Sequence, residues 1–137
     1  MDCYSKVPGR IKELDQWVLW RYLGKDRRKT PFQPDGTPAR ANDEGTWHSF
    51  ETCVTAFSNE RDAGIGFEFS RNDPFCGVDL DKCRDKDSGQ VAEWARTIIK
   101  RMDTYTEVSP SGTGVKMWCE AKSPFPTGRQ IMLDKGS

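Results

Sequence analysis

Residues 104–120 read TYTEVSPSGTGVKMWCE, two β-prone runs on either side of a short turn. Both runs, 104–109 and 115–120, are rich in branched and aromatic side chains, which favour strands. Proline, serine and glycine between them are typical turn residues. The sequence therefore predicts two strands joined by the turn SPSGTG.

A helix and two more strands precede this pair. The segments 64–69 (GIGFEF) and 76–81 (CGVDLD) are strand-like and are joined by the polar turn SRNDP. Apolar residues then recur at helical spacing from 91 to 102, with charged residues on the opposite face. Asp87 and Ser88 are the candidate caps of this helix.

The first part of the chain predicts two helices and one clear strand. Residues 8–14 begin with a proline and predict a short helix, and residues 17–23 (WVLWRYL) predict a strand. A second helix is expected from Ser49, where apolar residues again recur at helical spacing. Between strand and helix, GKDRRK predicts a turn, and the proline-rich stretch after it allows at most a short edge strand around Phe32.

The order of these elements predicts an α+β fold in which helices pack on a mixed sheet. A chain of 137 residues and 15.6 kDa fits a single domain over residues 1–137. Its 21 basic residues equal its 21 acidic residues, so any polyanion-binding surface must be a local patch. No run approaches the ~20 apolar residues of a membrane span, and the N-terminus lacks an apolar signal core. These features favour a cytoplasmic protein with no membrane partner.

Two aspartates stand two residues apart in the strand predicted at 76–81. Because side chains alternate along a strand, Asp79 and Asp81 should share one face, with Val78 and Leu80 on the other. Two close carboxylates repel each other, and a bound cation relieves that repulsion. Their hard oxygen atoms suit Mg²⁺ or Mn²⁺. The pair is a candidate metal site, and a solvated strand end is the alternative that the pattern leaves open.

The turn and the strand after it supply candidates for phosphate binding. Glycines let backbone N–H groups converge on an anion, and the hydroxyls of Ser111 and Thr113 can add donors. Lys116 alternates with its apolar neighbours, so its ammonium should lie on the polar face of its strand and can bind a triphosphate. An ordinary turn and a solvated lysine are the alternatives. The candidate residues are Ser109, Ser111, Gly112, Thr113, Gly114 and Lys116.

A cationic cluster lies in the turn predicted after the first strand. It consists of Lys25, Arg27, Arg28 and Lys29. These side chains could contact a template strand or nucleotide phosphates. A solvated turn is the alternative explanation of the cluster. Lys29 joins the candidate nucleotide-binding residues.

Taken in order, the motifs resemble the bifunctional primase-polymerase domain of the archaeo-eukaryotic primase superfamily. The resemblance runs over nearly the whole chain and rests on WVLWRY, KTPF, TWHSF, GIGFEF, GVDLD, WARTII and YTEVSPSGTGVK. It implies a metal-dependent nucleotidyltransferase that adds nucleotides to a 3′-hydroxyl on a single-stranded DNA template. The expected partners are that template and nucleoside triphosphates, and a helicase domain or protein is a common companion in the family.

The resemblance also assigns roles to residues. It implies that Asp79 and Asp81 bind catalytic Mg²⁺ or Mn²⁺, and that the glycine-rich turn and Lys116 bind the nucleotide phosphates. The family commonly has histidine where Lys116 stands. The segment IMLDKG is similar to the family's third acidic motif, which makes Asp134 a third candidate metal ligand. An aromatic strand usually follows that motif, so the sheet is expected to lack its last strand or strands at Ser137.

Two other functions remain open from the sequence. A catalytically degenerate chain of the same fold would bind nucleotide or nucleic acid without joining nucleotides, and the lysine at position 116 motivates that reading. A two-metal nuclease would use the same carboxylates to cleave a strand. The nuclease hypothesis leaves the SPSGTG turn unexplained and ranks last.

Overall fold

The computed structural model describes residues 6–121, whose contacts divide the chain into two compact units that meet between Asp73 and Pro74. Each unit contains helix and one three-stranded sheet, so the predicted α+β class is confirmed. All strand pairings in residues 6–121 are antiparallel, whereas the order of the elements favoured one mixed sheet. The single domain over residues 1–137 stays a prediction.

The sheet of the first unit has the order β2-β1-β3. Its strands are β1 (Trp17–Leu23), β2 (Arg28–Phe32) and β3 (Gly64–Phe67). β1 has the predicted bounds, while β2 begins inside the segment GKDRRK, which was predicted to be entirely a turn. The turn is shorter because Leu23 pairs with Arg28 and Tyr22 pairs with Lys29. β1 and β2 therefore form a hairpin.

Two short helices accompany this sheet. α1 (Gly9–Lys12) is shorter than the helix predicted at 8–14, and α2 (Phe50–Ala56) begins after the predicted Ser49 cap. The Ser49 hydroxyl accepts a hydrogen bond from the Thr52 N–H at 3.1 Å, which satisfies one donor at the start of the helix. One 3-10 turn, Glu44–Thr46, precedes α2. The Phe50 ring packs edge-on against Trp17, with centroids 4.8 Å apart, so α2 covers one face of the sheet.

The opposite face of this sheet carries Trp20, which is 8% exposed and lies across β3. Trp20 pairs with Gly64, and a Cβ added at Gly64 would lie 2.5 Å from the indole Nε1. At Gly66 the nearest indole atom would be 3.5 Å away, an ordinary contact. The indole therefore requires glycine at position 64 and not at position 66.

The sheet of the second unit has the order β4-β6-β5. Its strands are β4 (Phe75–Leu80), β5 (Thr106–Val108) and β6 (Val115–Glu120), and α3 (Glu93–Met102) lies between β4 and β5 in the chain. All four elements were predicted, with boundaries that differ by one or two residues at some ends. Within residues 6–121, no helix has the length and apolar character needed to cross a bilayer.

α3 packs on one face of this sheet and forms the core of the second unit. Buried side chains from the sheet, among them Leu80, Val115 and Met117, contact Ala95 of the helix. Ala95 and Met117 have no exposed surface. Side chains alternate between the two faces of a strand. Because Leu80 of β4 and Met117 of β6 face the helix, the neighbouring side chains in each strand face away from it.

The predicted caps of α3 are wrong, since Ala92 precedes the helix and provides no side-chain hydrogen bond. Asp87 and Ser88 lie instead in a loop closed by Asp85. The Asp85 carboxylate accepts from the backbone N–H groups of Ser88 at 2.8 Å and Asp87 at 2.9 Å. These hydrogen bonds stabilise the ionised form and lower the pKa of Asp85. The Asp85 carboxylate therefore stabilises the loop that precedes the helix.

Replacing Gly64 with alanine should destabilise the first unit, because the new methyl group would overlap the Trp20 ring. We expect Gly64→Ala to lower the free energy of unfolding by about 1–3 kcal/mol. Gly66→Ala is the matched control and should change stability little, since its Cβ meets only ordinary contacts. Urea unfolding of both variants measures the difference. Equal stabilities would show that the indole moves aside without cost.

Candidate active site

A row of charged residues crosses the second sheet on the face opposite α3. Asp79 of β4 pairs with Lys116 of β6, and Lys116 pairs with Glu107 of β5. The Lys116 Nζ lies 3.9 Å from the Asp79 Oδ1. The Asp79 side chain is 63% exposed and that of Lys116 is 33% exposed, so water screens this ion pair. The sequence predicted that Lys116 lies on the polar face, and the register places it directly beside Asp79.

Asp81 lies immediately after the end of β4 and is exposed. The next residue, Lys82, has a φ of 54°, a left-handed conformation that is uncommon for a residue with a side chain. The chain therefore bends sharply after the second aspartate. Asp79 and Asp81 are thus at the end of one strand, where their carboxylates are open to solvent.

The SPSGTG turn packs against this same end of β4. A Cβ added at Gly114 would lie 2.7 Å from the Leu80 carbonyl oxygen and 3.6 Å from the Asp81 Cα. Only a residue without a side chain allows this approach. The structure thus brings the turn and the acidic end of β4 together within one unit.

Hydrogen bonds from the loop after β4 anchor the turn. The Thr113 carbonyl oxygen accepts from the N–H groups of Cys83 at 2.9 Å and Arg84 at 3.0 Å. The Arg84 Nη1 also donates to the Gly112 carbonyl oxygen at 2.8 Å. The sequence argument did not identify Arg84. In the sequence, Arg84 is one basic residue among the acids that follow Asp81. That pattern does not predict its hydrogen bond to Gly112.

Within the turn, hydroxyl groups form a connected chain. The Ser111 hydroxyl lies 3.0 Å from that of Ser109 and 2.9 Å from that of Thr113. The backbone N–H of Gly112 donates to the Ser109 carbonyl oxygen, and that of Gly114 donates to the Ser109 hydroxyl. These N–H groups are engaged inside the turn, and the two bonds between the hydroxyls use two of their three O–H groups, which leaves one O–H to donate to an anion.

Aromatic side chains lie beside the charged row. The Lys116 Nζ is 5.6 Å from the centroid of the Trp118 ring, and that ring lies 5.4 Å from Tyr105. The Tyr105 hydroxyl donates to the Glu107 Oε2 at 3.0 Å. Burial, followed by the charge of Glu107, raises the pKa of Tyr105, so the phenol stays protonated as a donor. No local pattern singled out Glu107, because the pairing of β5 with β6 sets its position.

Two further predicted site residues are not among the described residues of the second unit. Lys29 belongs to β2 of the first unit, where its Nζ lies 4.5 Å from the Trp20 ring centroid. Asp134 lies outside the described residues. Its role as a third ligand stays a prediction.

The chemistry of the donors fits a hard divalent cation. Among residues 6–121, no group of three or more histidine, cysteine, aspartate or glutamate side chains is placed to hold a metal ion. Two exposed carboxylates, Asp79 and Asp81, stand close together in the chain. Mg²⁺ is usually bound by one or two carboxylates, with water and substrate phosphates completing the shell. The described donor set matches that pattern.

Comparison with known proteins bears on the family. No family model matches the chain. The chain is 33% identical over 124 residues to a DNA primase-polymerase of Nitratiruptor phage NrS-1. The match confirms the resemblance to primase-polymerases. It covers 89% of this chain and 17% of the length of the phage protein, so the primase-polymerase similarity concerns a small part of that relative.

Replacing Gly114 with alanine should separate the turn from β4, because the added methyl group would overlap the Leu80 carbonyl oxygen. We expect Gly114→Ala to lower the free energy of unfolding by about 1–3 kcal/mol. Amide hydrogen exchange should also become faster at Cys83 and Arg84, whose N–H groups bond to the turn.

Gly9→Ala is the control for this variant, since its Cβ would meet no atom within 4 Å. It should leave exchange at Cys83 and Arg84 unchanged. Unchanged exchange in Gly114→Ala would show that contact with β4 does not hold the turn in place.

Proposed function

We propose that this chain carries the catalytic site of a metal-dependent primase-polymerase. Such a nucleotidyltransferase adds nucleotides to a 3′-hydroxyl opposite a single-stranded DNA template. The observation that carries the proposal is the contact between the SPSGTG turn and the acidic end of β4, at Gly114 and Leu80. That contact brings a candidate phosphate site to a candidate metal site. The similarity to a phage primase-polymerase supports the same reaction class.

In this proposal Asp79 and Asp81 hold Mg²⁺ or Mn²⁺, and Asp134 is the third ligand. When bound, such ions lower the pKa of the attacking hydroxyl and stabilise negative charge on the leaving pyrophosphate. The two aspartates provide negatively charged oxygen atoms at a strand end that is open to substrate. Their exposure leaves room for phosphate and water beside the carboxylates.

The turn and Lys116 hold the triphosphate. The hydrogen-bonded hydroxyls of Ser109, Ser111 and Thr113 have one O–H left to donate to a phosphate oxygen, and the ammonium of Lys116 neutralises phosphate charge. The 3′-hydroxyl oxygen then forms a bond to the α-phosphorus and passes its proton to solvent water. The bond from the α-phosphorus to the bridging oxygen breaks, and pyrophosphate leaves. The chain's own residues orient the triphosphate for this in-line displacement.

The ion pair between Lys116 and Asp79 links the two halves of the site. The ammonium lies 3.9 Å from a carboxylate that the divalent cation also needs. A divalent cation held by Asp79 would compete with the ammonium for this carboxylate, and Lys116 would then be available to the triphosphate. Binding of metal and of triphosphate should therefore support each other.

The expected partners are single-stranded DNA and nucleoside triphosphates, with a helicase domain or protein as a further companion. A second candidate function is a binding protein of the same fold that does not join nucleotides. It is favoured by one observation, since Lys116 replaces the family's usual histidine and is held by Asp79 in an ion pair. Binding of nucleotide without incorporation would identify that function.

Removal of the first aspartate tests the proposed reaction. Asp79→Ala should abolish Mn²⁺-dependent extension of a primer on a DNA template, because the cation loses a ligand. Asp87→Ala is the matched control, since Asp87 is an exposed acid of the same unit and lies in the loop closed by Asp85. It should retain the activity of the wild-type chain. Gel analysis of labelled primers measures extension.

Calorimetric titration with Mn²⁺ and a nucleoside triphosphate measures binding, and the gel analysis measures extension and cleavage. Together they separate the possible outcomes. Nucleotide binding without extension in the wild-type chain favours the non-catalytic function. Cleavage of the strand without added triphosphate favours a nuclease. Equal extension by wild type and Asp79→Ala would rule out this aspartate as a metal ligand of the reaction.

Replacement of Lys116 tests the competition between the two cations. Lys116→Met should tighten Mn²⁺ binding without nucleotide by up to about fivefold, because the carboxylate of Asp79 loses its internal partner. The same variant should weaken triphosphate binding by roughly tenfold or more, through loss of a charged donor. Lys116→His, which restores the family's usual residue, should recover part of the triphosphate affinity. A Lys116→Met variant that weakens both ligands equally would contradict the competition.

A further inference from the structure

A cationic surface lies in the first unit, at the end of the β1–β2 hairpin. We call residues 22–29, with sequence YLGKDRRK, the basic hairpin. It contains four cations, Lys25, Arg27, Arg28 and Lys29, all of which are exposed. Asp26 is its one acid, so the segment has a net charge of +3, from four positive and one negative residues. Because the whole chain has a net charge of zero, the remaining residues sum to −3.

This charge is held on an ordered framework. The Arg27 guanidinium carbon lies 4.6 Å from the Tyr22 ring centroid, and Tyr22 packs edge-on against Trp20 with centroids 5.2 Å apart. The Arg27 N–H donates to the Gly24 carbonyl oxygen at 3.2 Å, which closes the turn. A cation that lies on an aromatic ring keeps its charge and its outward donors. Arg27 is therefore a cation that loses little entropy on contact with an anion.

The cations of the tip are available to an external anion. Within residues 6–121, Lys25, Arg27 and Arg28 form no ion pair with a carboxylate. They lie close to one another in the chain, on the turn and on the first position of β2. Several phosphates in a row match this arrangement better than one free nucleotide.

Apolar surface accompanies the charge. Tyr22 is 36% exposed and Leu23 is 45% exposed, and both belong to the hairpin. Surfaces that combine cations with exposed aromatic and apolar side chains suit single-stranded nucleic acid, whose bases are accessible. A duplex presents mainly its phosphates to such a surface.

We propose that Lys25, Arg27 and Arg28 of the basic hairpin bind the phosphate backbone of single-stranded DNA. In this proposal the hairpin contacts the template strand and includes none of the residues proposed to bind metal and triphosphate. This inference rests on the proposed function, because that function supplies the template. It assigns a partner to three cations that have no part in the proposed chemistry.

Anisotropy of a fluorescently labelled oligothymidylate at several salt concentrations tests the inference. In the variant Lys25→Gln/Arg28→Gln, we expect the affinity to fall roughly tenfold at low salt, with a salt slope smaller by about 1.4, or ~0.7 for each lost phosphate contact. Both side chains are exposed, so the fold should be unaffected, and thermal unfolding checks this.

The control variant is Lys100→Gln/Arg101→Gln. It removes the same charge from two exposed positions in the last turn of α3. It should keep both the affinity and the salt slope of the wild type. An equal fall in both variants, or no fall in the hairpin variant, would overturn the inference. An equal loss of duplex binding in the hairpin variant would overturn the preference for single strands.

The same samples separate this inference from the proposed function. Asp87→Ala should bind the oligonucleotide with wild-type affinity, because Asp87 lies outside both the hairpin and the proposed catalytic residues. If the wild-type chain joins no nucleotides but the hairpin variant loses DNA binding, the proposed reaction fails and the hairpin assignment stands. If extension is normal but oligonucleotide affinity is unchanged in the hairpin variant, only the hairpin assignment fails.

Discussion

The antiparallel pairing of β4 with β6 is the interaction on which the second unit depends. It sets Asp79 opposite Lys116 on one face and Leu80 opposite Val115 on the other. Burial of Leu80, Val115 and Met117 against α3 fixes which face is which, because a slip of one residue would turn the charged pair toward the helix. Charges buried without excellent partners are costly. The apolar core therefore determines the position of the charged row, although no apolar residue takes part in the proposed chemistry.

Much of this unit could be predicted from local patterns. Alternation in CGVDLD placed Asp79 on the face opposite Leu80, and the period of residues 91–102 predicted α3. The proline, serine and glycine residues of SPSGTG indicated a turn, which the structure has between β5 and β6. Each of these properties depends on side chains a few residues apart, so the sequence displays it directly.

Other features depend on which strands pair, and local patterns do not encode that choice. Glu107 enters the charged row only because β5 pairs with β6 in one register. The formation of two antiparallel sheets has the same origin, since β1 pairs with β3 and β4 pairs with β6. Asp87 and Ser88 matched the composition of a helix cap, but the nearer carboxylate of Asp85 satisfies their backbone N–H groups. Competing hydrogen bonds of similar strength decided that case.

The lysine at position 116 affects which residues of the proposed site neutralise the triphosphate and which ones orient it. An ammonium on a flexible stem is a compact charge with little directional preference, whereas the imidazole usual in the family donates from fixed ring positions. Other groups must then orient the triphosphate. The hydroxyls of Ser109, Ser111 and Thr113 are fixed by hydrogen bonds within the turn and provide this orientation. Under the proposed function, charge on the triphosphate is met by Lys116 and its orientation is set by the turn. Since Gly114 seats the turn against β4, the contact of backbone with backbone at that glycine controls the geometry that lysine leaves open.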